Sequence, residues 1–324
     1  MQKFPTNDNL TVQFAHSAYQ FADEFSSRNT GIQHFQTYSK EDTVKRLAEA
    51  DVLVLSGFWD NQFIALSDKL KYIQAVSAGY DFFDLEAVEE RSIKLCNANG
   101  VNSNAVSEHA FALLLGLTRR LHIGRDDQRK SFWRGMKADM QQREEELPGK
   151  TMLIVGLGHI GGRTANLARA FGMQTIGMKR NTRGYEDLVD EIYPSTELLK
   201  HLPRADVVVL TCPLTDETAN LINEDAFAIM KPGSYLINVA RGGCVEQAAM
   251  ISALQDGKLT GAGIDTFDVE PLPESSPLWG FENVIVSSHT GGETRHYERN
   301  VVDLLLENLD RLARGEDTLR NRII

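Results

Sequence analysis

Cysteine is scarce in this sequence, positive charge is outweighed, and no apolar run is long. The three cysteines among 324 residues, Cys96, Cys212 and Cys244, are an odd number without Cys-x-x-Cys spacing. Neither a disulfide framework nor a zinc site is indicated, no metal is expected, and the thiols read as small buried hydrophobes in a reducing compartment. Lys and Arg number 34 against 45 Asp and Glu, a formal net charge of -11. That balance disfavours nucleic acid as a partner, since non-specific binding needs a basic footprint to neutralise phosphates. The longest apolar runs, such as Ala110 to Leu117, fall far short of the roughly 20 residues of a membrane span, and Met1-Gln2-Lys3-Phe4-Pro5 has no signal-peptide h-region. A cytoplasmic location without a membrane partner is the expectation. No internal repeat or low-complexity tract is found.

What is present is a chain long enough for two domains, 42% hydrophobic and 24% charged, as globular proteins are. Short β-rich runs alternate with helix-period segments throughout: Asp51 to Ser56, Tyr72 to Val76, Met152 to Val155 and Asp206 to Leu210 are examples. Continuously apolar strands suit parallel sheets covered on both faces, so an α/β fold of two doubly wound parallel-sheet domains is predicted. A nucleotide fingerprint begins only at Gly156, which leaves the leading βα segment to a different domain. Residues 1–102 and 292–324 are therefore expected to form a flavodoxin-like substrate domain, with a Rossmann dinucleotide-binding domain, 103–291, inserted into it. Val101 to Arg143 reads as a crossover helix followed by a projecting arm, and Tyr297 to Leu312 as a helix that returns to the first domain.

The fingerprint is a buried strand, Thr151 to Val155, running into Gly156-Leu-Gly158-His159-Ile160-Gly161 and then into a helix-forming stretch. Gly156 makes the tight turn, Gly158 admits a pyrophosphate against the backbone, and Gly161 lets helix and strand pack closely. The helix N-terminus offers unpaired N–H groups and a positive dipole end to phosphates. The next strand, Gln174 to Met178, leads to Lys179-Arg180-Asn181-Thr182-Arg183, where an NAD-binding chain would carry Asp or Glu for the ribose 2′-hydroxyl. Without that carboxylate, and with Arg180 and its neighbours able to pair with a 2′-phosphate, NADPH is expected to be preferred and NADH to remain usable.

Three later segments end apparent parallel strands: Asn238-Val239-Ala240-Arg241-Gly-Gly, Gly263-Ile-Asp265 through Glu270-Pro-Leu-Pro, and Ser287-Ser-His289-Thr-Gly291-Gly292. Loops at such strand ends are where an open α/β sheet holds its ligands, so distant residues can converge there. With Val76-Ser77-Ala78-Gly79-Tyr80-Asp81 and the nucleotide loop, this pattern resembles the D-2-hydroxyacid dehydrogenase family over nearly the whole chain. The resemblance implies reduction of a small 2-keto acid to its D-2-hydroxy acid, with Arg241, Glu270 and His289 as the catalytic set. Histidine suits proton transfer because its unperturbed pKa, about 6.5, lies near working pH. Glu270 would orient the ring and favour its protonated form, while Arg241 offers a planar fork to a carboxylate.

The resemblance further implies that Val76, Ser77, Ala78 and Gly79 hold the substrate carboxylate through their backbone, and that Asn102 lines an interdomain cleft. It places Cys212, Pro213, Thr218, Val239, Ala240 and Gly291 along the cofactor, with Asp265 at the nicotinamide carboxamide. His109, in an apolar helix, is read as packed or capping, and His159 has no chemical role beyond its place in the loop. Glu rather than Gln at 270 argues against a formate dehydrogenase. A homodimer paired through the arm is expected, as its apolar residues would otherwise face water. The alternative from another class is a nucleotide-sensing corepressor on the same fold. Aromatic residues Phe58, Trp59, Tyr80, Trp133 and Trp279 hint at an apolar substrate pocket without selecting one acid.

Overall fold

A computed structural model describes residues 4–80 and 82–324. Asp81, which closes the Val76 motif, lies outside the described residues. The chain divides into two compact units, Met1–Asn102 with Thr294–Ile324, and Ser103–Glu293.

The first unit is built on β1 (Thr11–Ala15), β2 (Gln33–Thr37), β3 (Val52–Leu55), β4 (Tyr72–Ala75) and β5 (Lys94–Cys96), in the order β2-β1-β3-β4-β5. Every pairing is parallel, and the order is that of flavodoxin-like sheets. All four residues of β3, Val-Leu-Val-Leu, are buried, because helices cover both faces of a parallel sheet. The C-terminal helix, Tyr297–Ala313, inserts its stripe Val301, Val302, Leu305, Leu309 and Leu312 into the core around Phe14, Phe21 and Phe25. Beyond it, the last residues run along β5: Ile323 N–H donates to Leu95 O at 2.8 Å and Leu95 N–H to Ile324 O at 3.3 Å. That pairing covers an edge that would otherwise be open to other chains.

The second unit carries β6 (Thr151–Val155), β7 (Gln174–Lys179), β8 (Glu191–Pro194), β9 (Val207–Leu210), β10 (Ser234–Asn238), β11 (Leu259–Ile264) and β12 (Val284–Val286). Its order, β12-β11-β10-β9-β6-β7-β8, is again wholly parallel. From β6 the chain builds outward through β7 and β8, then crosses to β9 and builds the other way, so the switch point lies between β6 and β9, where a doubly wound sheet binds its ligand. The two sheets are the predicted fold class. The crossover helix, Ser103–Thr118, buries Val106, Ala110, Leu113, Leu114 and Leu117 in the core of this unit. The arm opens with the helix Leu121–Arg129, which has no buried residue. Leu121, Phe132, Trp133, Met136 and Met140 along the arm are exposed. No helix among the described residues is long and apolar enough to cross a membrane.

Candidate active site

The sequence-predicted residues of the second unit lie at the carboxyl ends of neighbouring strands. Across the sheet, His289 follows β12, Asp265 and Glu270 follow β11, Arg241 follows β10, Cys212 follows β9, the glycine loop follows β6, and Lys179 ends β7.

Gly156 has φ +99°, and a Cβ on it would meet the backbone of Cys212 at 2.8 Å; a Cβ on Gly161 would lie 2.0 Å from Gly156 O. Both positions therefore require glycine. A Cβ on Gly158 meets nothing within 4 Å, so open space adjoins the loop there. Gly158 N-caps the helix His159–Ala170 with no side-chain hydrogen bond, which leaves the first-turn N–H groups for a ligand. The Thr211 hydroxyl donates to Gly156 O at 2.6 Å and pins the turn. An open glycine, an uncapped helix end and a braced turn fit a dinucleotide pyrophosphate. The Thr218 hydroxyl donates to Pro213 O at 2.7 Å, shaping the segment after Cys212. Cys96, Cys212 and Cys244 are all free and buried. The thiol of Cys212 is held protonated by the neighbouring Cys244 sulfur and by burial.

The basic turn after β7 is more constrained than its sequence suggests. The Lys179 ammonium donates to Leu157 O at 3.3 Å and sits 4.1 Å from the Tyr185 ring centroid. Arg180 is exposed and pairs with Glu217 at 3.6 Å. Glu217, distant in sequence, is a carboxylate that reading along the β7 turn missed. Asn181 accepts from Arg183 N–H at 3.1 Å, closing the turn around Thr182.

After β10, Asn238 accepts from Ala240 N–H at 3.0 Å and donates to Arg241 O at 3.0 Å, which fixes the turn through Val239 and Ala240. The Arg241 guanidinium donates to Ala240 O at 2.8 Å, and among the described residues its other donors have no partner.

Glu270 and His289 meet directly: His289 Nδ1 lies 2.8 Å from Glu270 Oε2, and Glu270 Oε1 accepts from Phe267 N–H at 2.9 Å. A carboxylate facing Nδ1 places a proton there and leaves Nε2 as the nitrogen that can exchange a proton with a bound molecule. His289 is held at φ +55°, a left-handed state uncommon for non-glycine residues and supported here by contacts from its surroundings.

Asp265 supplies those contacts. Its backbone O accepts from His289 N–H at 2.9 Å, and its carboxylate accepts from Thr290 N–H and Gly291 N–H, each at 3.0 Å, and from the Ser287 hydroxyl. His109 Nε2 lies 2.7 Å from Ser287 Oγ and 3.3 Å from Asp265 Oδ1. Burial would raise the Asp265 pKa, but the hydrogen bonds from His109, Ser287 and Gly291 outweigh it and hold the carboxyl at about 2. His109 thus belongs to the support of the site. Its only sequence signal was a polar ring inside an apolar helix.

In the first unit, Val76–Gly79 follows β4 and every carbonyl of the loop is engaged. Val76 O accepts from the Tyr297 hydroxyl, Ser77 O from Ala98 N–H at 2.9 Å, Ala78 O from Asn97 Nδ2 at 2.6 Å, and Gly79 O from the Ser77 hydroxyl at 2.8 Å. Among the described residues, the N–H groups of Ser77, Ala78 and Gly79 donate to none. Three successive N–H groups are thus left without a described partner while the carbonyls of the loop are engaged. Asn102 ends this unit's first segment and is half-buried.

A nucleotide loop at the switch point of a Rossmann sheet, with a Glu-paired histidine at the carboxyl end of the same sheet, defines the class as a dinucleotide-binding protein. Residues 111–291 match the family of D-isomer specific 2-hydroxyacid dehydrogenases over its NAD binding domain. The glyoxylate reductase of Pyrococcus furiosus is 34% identical over 284 residues, 86% of this chain and 83% of that protein. The D-3-phosphoglycerate dehydrogenase of Methanocaldococcus jannaschii is 33% identical over 86% of this chain and 52% of its own length. A solved D-isomer specific 2-hydroxyacid dehydrogenase family protein from Aeromonas salmonicida superposes with a TM-score of 0.86 at 30% identity, over 98% of this chain and 99% of that one. The chain belongs to the D-isomer specific 2-hydroxyacid dehydrogenase family, and its second unit is that family's nicotinamide-nucleotide-binding domain.

Proposed function

We propose that the protein reversibly reduces a small 2-keto acid to the D-2-hydroxy acid, with glyoxylate or hydroxypyruvate as first candidates and NADPH preferred over NADH. The observation that carries this reading is the 2.8 Å contact between His289 Nδ1 and Glu270, which leaves Nε2 as the exchangeable position. When bound, a nicotinamide cofactor would supply the hydride for the keto carbon. His289 Nε2 then gives its proton to the carbonyl oxygen and recovers one from the hydroxyl in the reverse direction. Glu270 keeps the ring in the orientation and tautomer this needs. Arg241 directs unused guanidinium donors to the substrate carboxylate and polarises the carbonyl as negative charge grows on its oxygen. The N–H groups of Ser77, Ala78 and Gly79, which donate to no described residue, are suited to a carboxylate.

For the cofactor, Gly156, Gly158, His159, Ile160 and Gly161 would cradle the pyrophosphate. The NADPH preference rests on Lys179 and Arg180. The exposed Arg180–Glu217 pair at 3.6 Å is weak, and a 2′-phosphate would compete for Arg180 with more charge and better hydrogen-bonding geometry. The exposed arm residues Leu121, Phe132, Trp133, Met136 and Met140 support a homodimer in which a second copy covers them. The three buried free thiols accord with a cytoplasmic setting. The test is a keto-acid panel, glyoxylate, hydroxypyruvate and bulkier acids, assayed with both cofactors. Turnover of at least one acid, faster with NADPH, is expected; cofactor binding without turnover of any would overturn the assignment.

A further inference from the structure

The opposite end of the Rossmann sheet holds a concavity. A cavity of about 370 Å³ lies at the amino-terminal ends of the strands, floored by Lys150, Asp206, Gly233 and Asn283, the residues that precede β6, β9, β10 and β12. Its size suits a small metabolite better than a dinucleotide. One wall comes from the start of the arm, where both ring nitrogens of His122 face backbone carbonyls, Gly116 O at 3.0 Å and Glu282 O at 2.8 Å. The ring thereby ties the arm helix to the segment before β12.

Arg120 is the unusual residue of this cavity. It separates the crossover and arm helices at φ +50°, where glycine would be cheaper by about 1 kcal/mol. It is half-buried, and among the described residues its guanidinium has no hydrogen-bond or ion-pair partner. The Tyr235 ring, buried on β10, also lines the cavity, and its hydroxyl has no described partner either. Burial and Glu145 raise the Tyr235 pKa against the opposing charge of Arg120, so the hydroxyl is a donor at working pH. The wall carries three Arg or Lys side chains, Arg120, Arg143 and Lys150, and three carboxylates, Glu145, Asp206 and Glu282, of which two are already paired. Glu145 is paired with Lys150 at 2.7 Å, Asp206 with Lys231 at 2.6 Å, and Glu282 is exposed. Arg143 spends its hydrogen bonds on the carbonyls of Lys137 and Ala138, at 2.9 and 3.0 Å, rather than on an acid.

Arg120 and Tyr235 line one cavity, and neither the guanidinium nor the hydroxyl has a described partner, so both are available to an oxyanion. We propose that this cavity is a binding site for a small ligand bearing a carboxylate or phosphoryl group, which Arg120 and the Tyr235 hydroxyl hold by donated hydrogen bonds. Such a ligand is separated from the glycine loop by the length of the sheet, and its binding does not depend on the catalytic reading.

The test is isothermal titration calorimetry of the full chain with inorganic phosphate and, separately, with acetate, for the wild type, Arg120→Gly and Tyr235→Phe. Arg120→Gly should fold at least as stably as the wild type, because glycine suits the left-handed backbone, so lost binding cannot be blamed on unfolding. The wild type should bind one of the two probes in the millimolar range or tighter, and the stronger probe identifies the phosphoryl or carboxylate source. Arg120→Gly should weaken it tenfold or more, and Tyr235→Phe about threefold. Binding of neither probe by the wild type, or unchanged binding in both variants, would overturn the proposal. So would a dimer in which the second copy fills the cavity.

Discussion

Replacing Asp265 by Asn tests whether the clamp beneath His289 works as its geometry indicates. The carboxylate accepts from Ser287, Thr290 and Gly291 and lies beside His109. Lowering its pKa from the ordinary 3.8 to about 2 corresponds, at about 1.4 kcal/mol per pH unit, to about 2 kcal/mol of folded-state stabilisation near neutrality. An amide cannot accept at both positions, so one N–H or O–H donor would be left facing another donor in a buried site, and the total cost should be about 2–4 kcal/mol. The sign follows from the direction of the shift. A carboxyl whose folded pKa is depressed contributes fully above its unfolded pKa, and the contribution fades as pH falls from about 4 towards about 2. Urea unfolding of the wild type and Asp265→Asn at about pH 7, about pH 4 and about pH 2.5 should show a gap that is full at the first and much reduced at the last. Because Thr290 and Gly291 hang from the same carboxylate, their amide hydrogen exchange should also accelerate in the variant. A gap below about 0.5 kcal/mol near neutrality, or one independent of pH, would refute the clamp.

Glu270→Gln should lower kcat for keto-acid reduction by about a hundredfold or more while moving cofactor Kd little, since the loss falls on orientation of the imidazole; steady-state rates and a fluorescence titration of cofactor check it. Tyr297→Phe removes the donor to Val76 O and loosens the carbonyl anchoring of the 76–79 loop. The keto-acid KM should rise about fivefold, the equivalent of about 1 kcal/mol, with kcat nearly unchanged, and a kcat collapse instead would contradict a positioning role. The double replacement Lys179→Asp with Arg180→Pro should shift selectivity towards NADH, as read from the ratio of kcat/KM for the two cofactors. An unchanged ratio would place selectivity elsewhere.

The fold class was legible because its strongest signal is local. Runs such as Val52–Leu55 and Val207–Leu210 are apolar throughout, and only a sheet covered on both faces buries every residue of a strand. Strands without that signal were not read. β2, Gln-His-Phe-Gln-Thr, is an edge strand with largely polar residues, and β5 has only three residues. The nucleotide loop was conspicuous for the related reason that its parts are contiguous. What escaped reading is long-range pairing: Ser287 and His109 are 178 residues apart, and nothing local marks them as partners around Asp265. The same holds for Glu217 opposite Arg180. Which N–H groups of the 76–79 loop stay free was also hidden, because Asn97, Ala98 and Tyr297 must first be folded against its carbonyls.

The central claim is that Nε2 of His289 exchanges the proton of the substrate oxygen. Single-turnover reduction of glyoxylate by cofactor-saturated His289→Ala, set beside the cofactor Kd of the same variant, tests it most directly. The account predicts a rate lower by about 10²- to 10⁴-fold with the Kd within about twofold of wild type. A wild-type rate would contradict it.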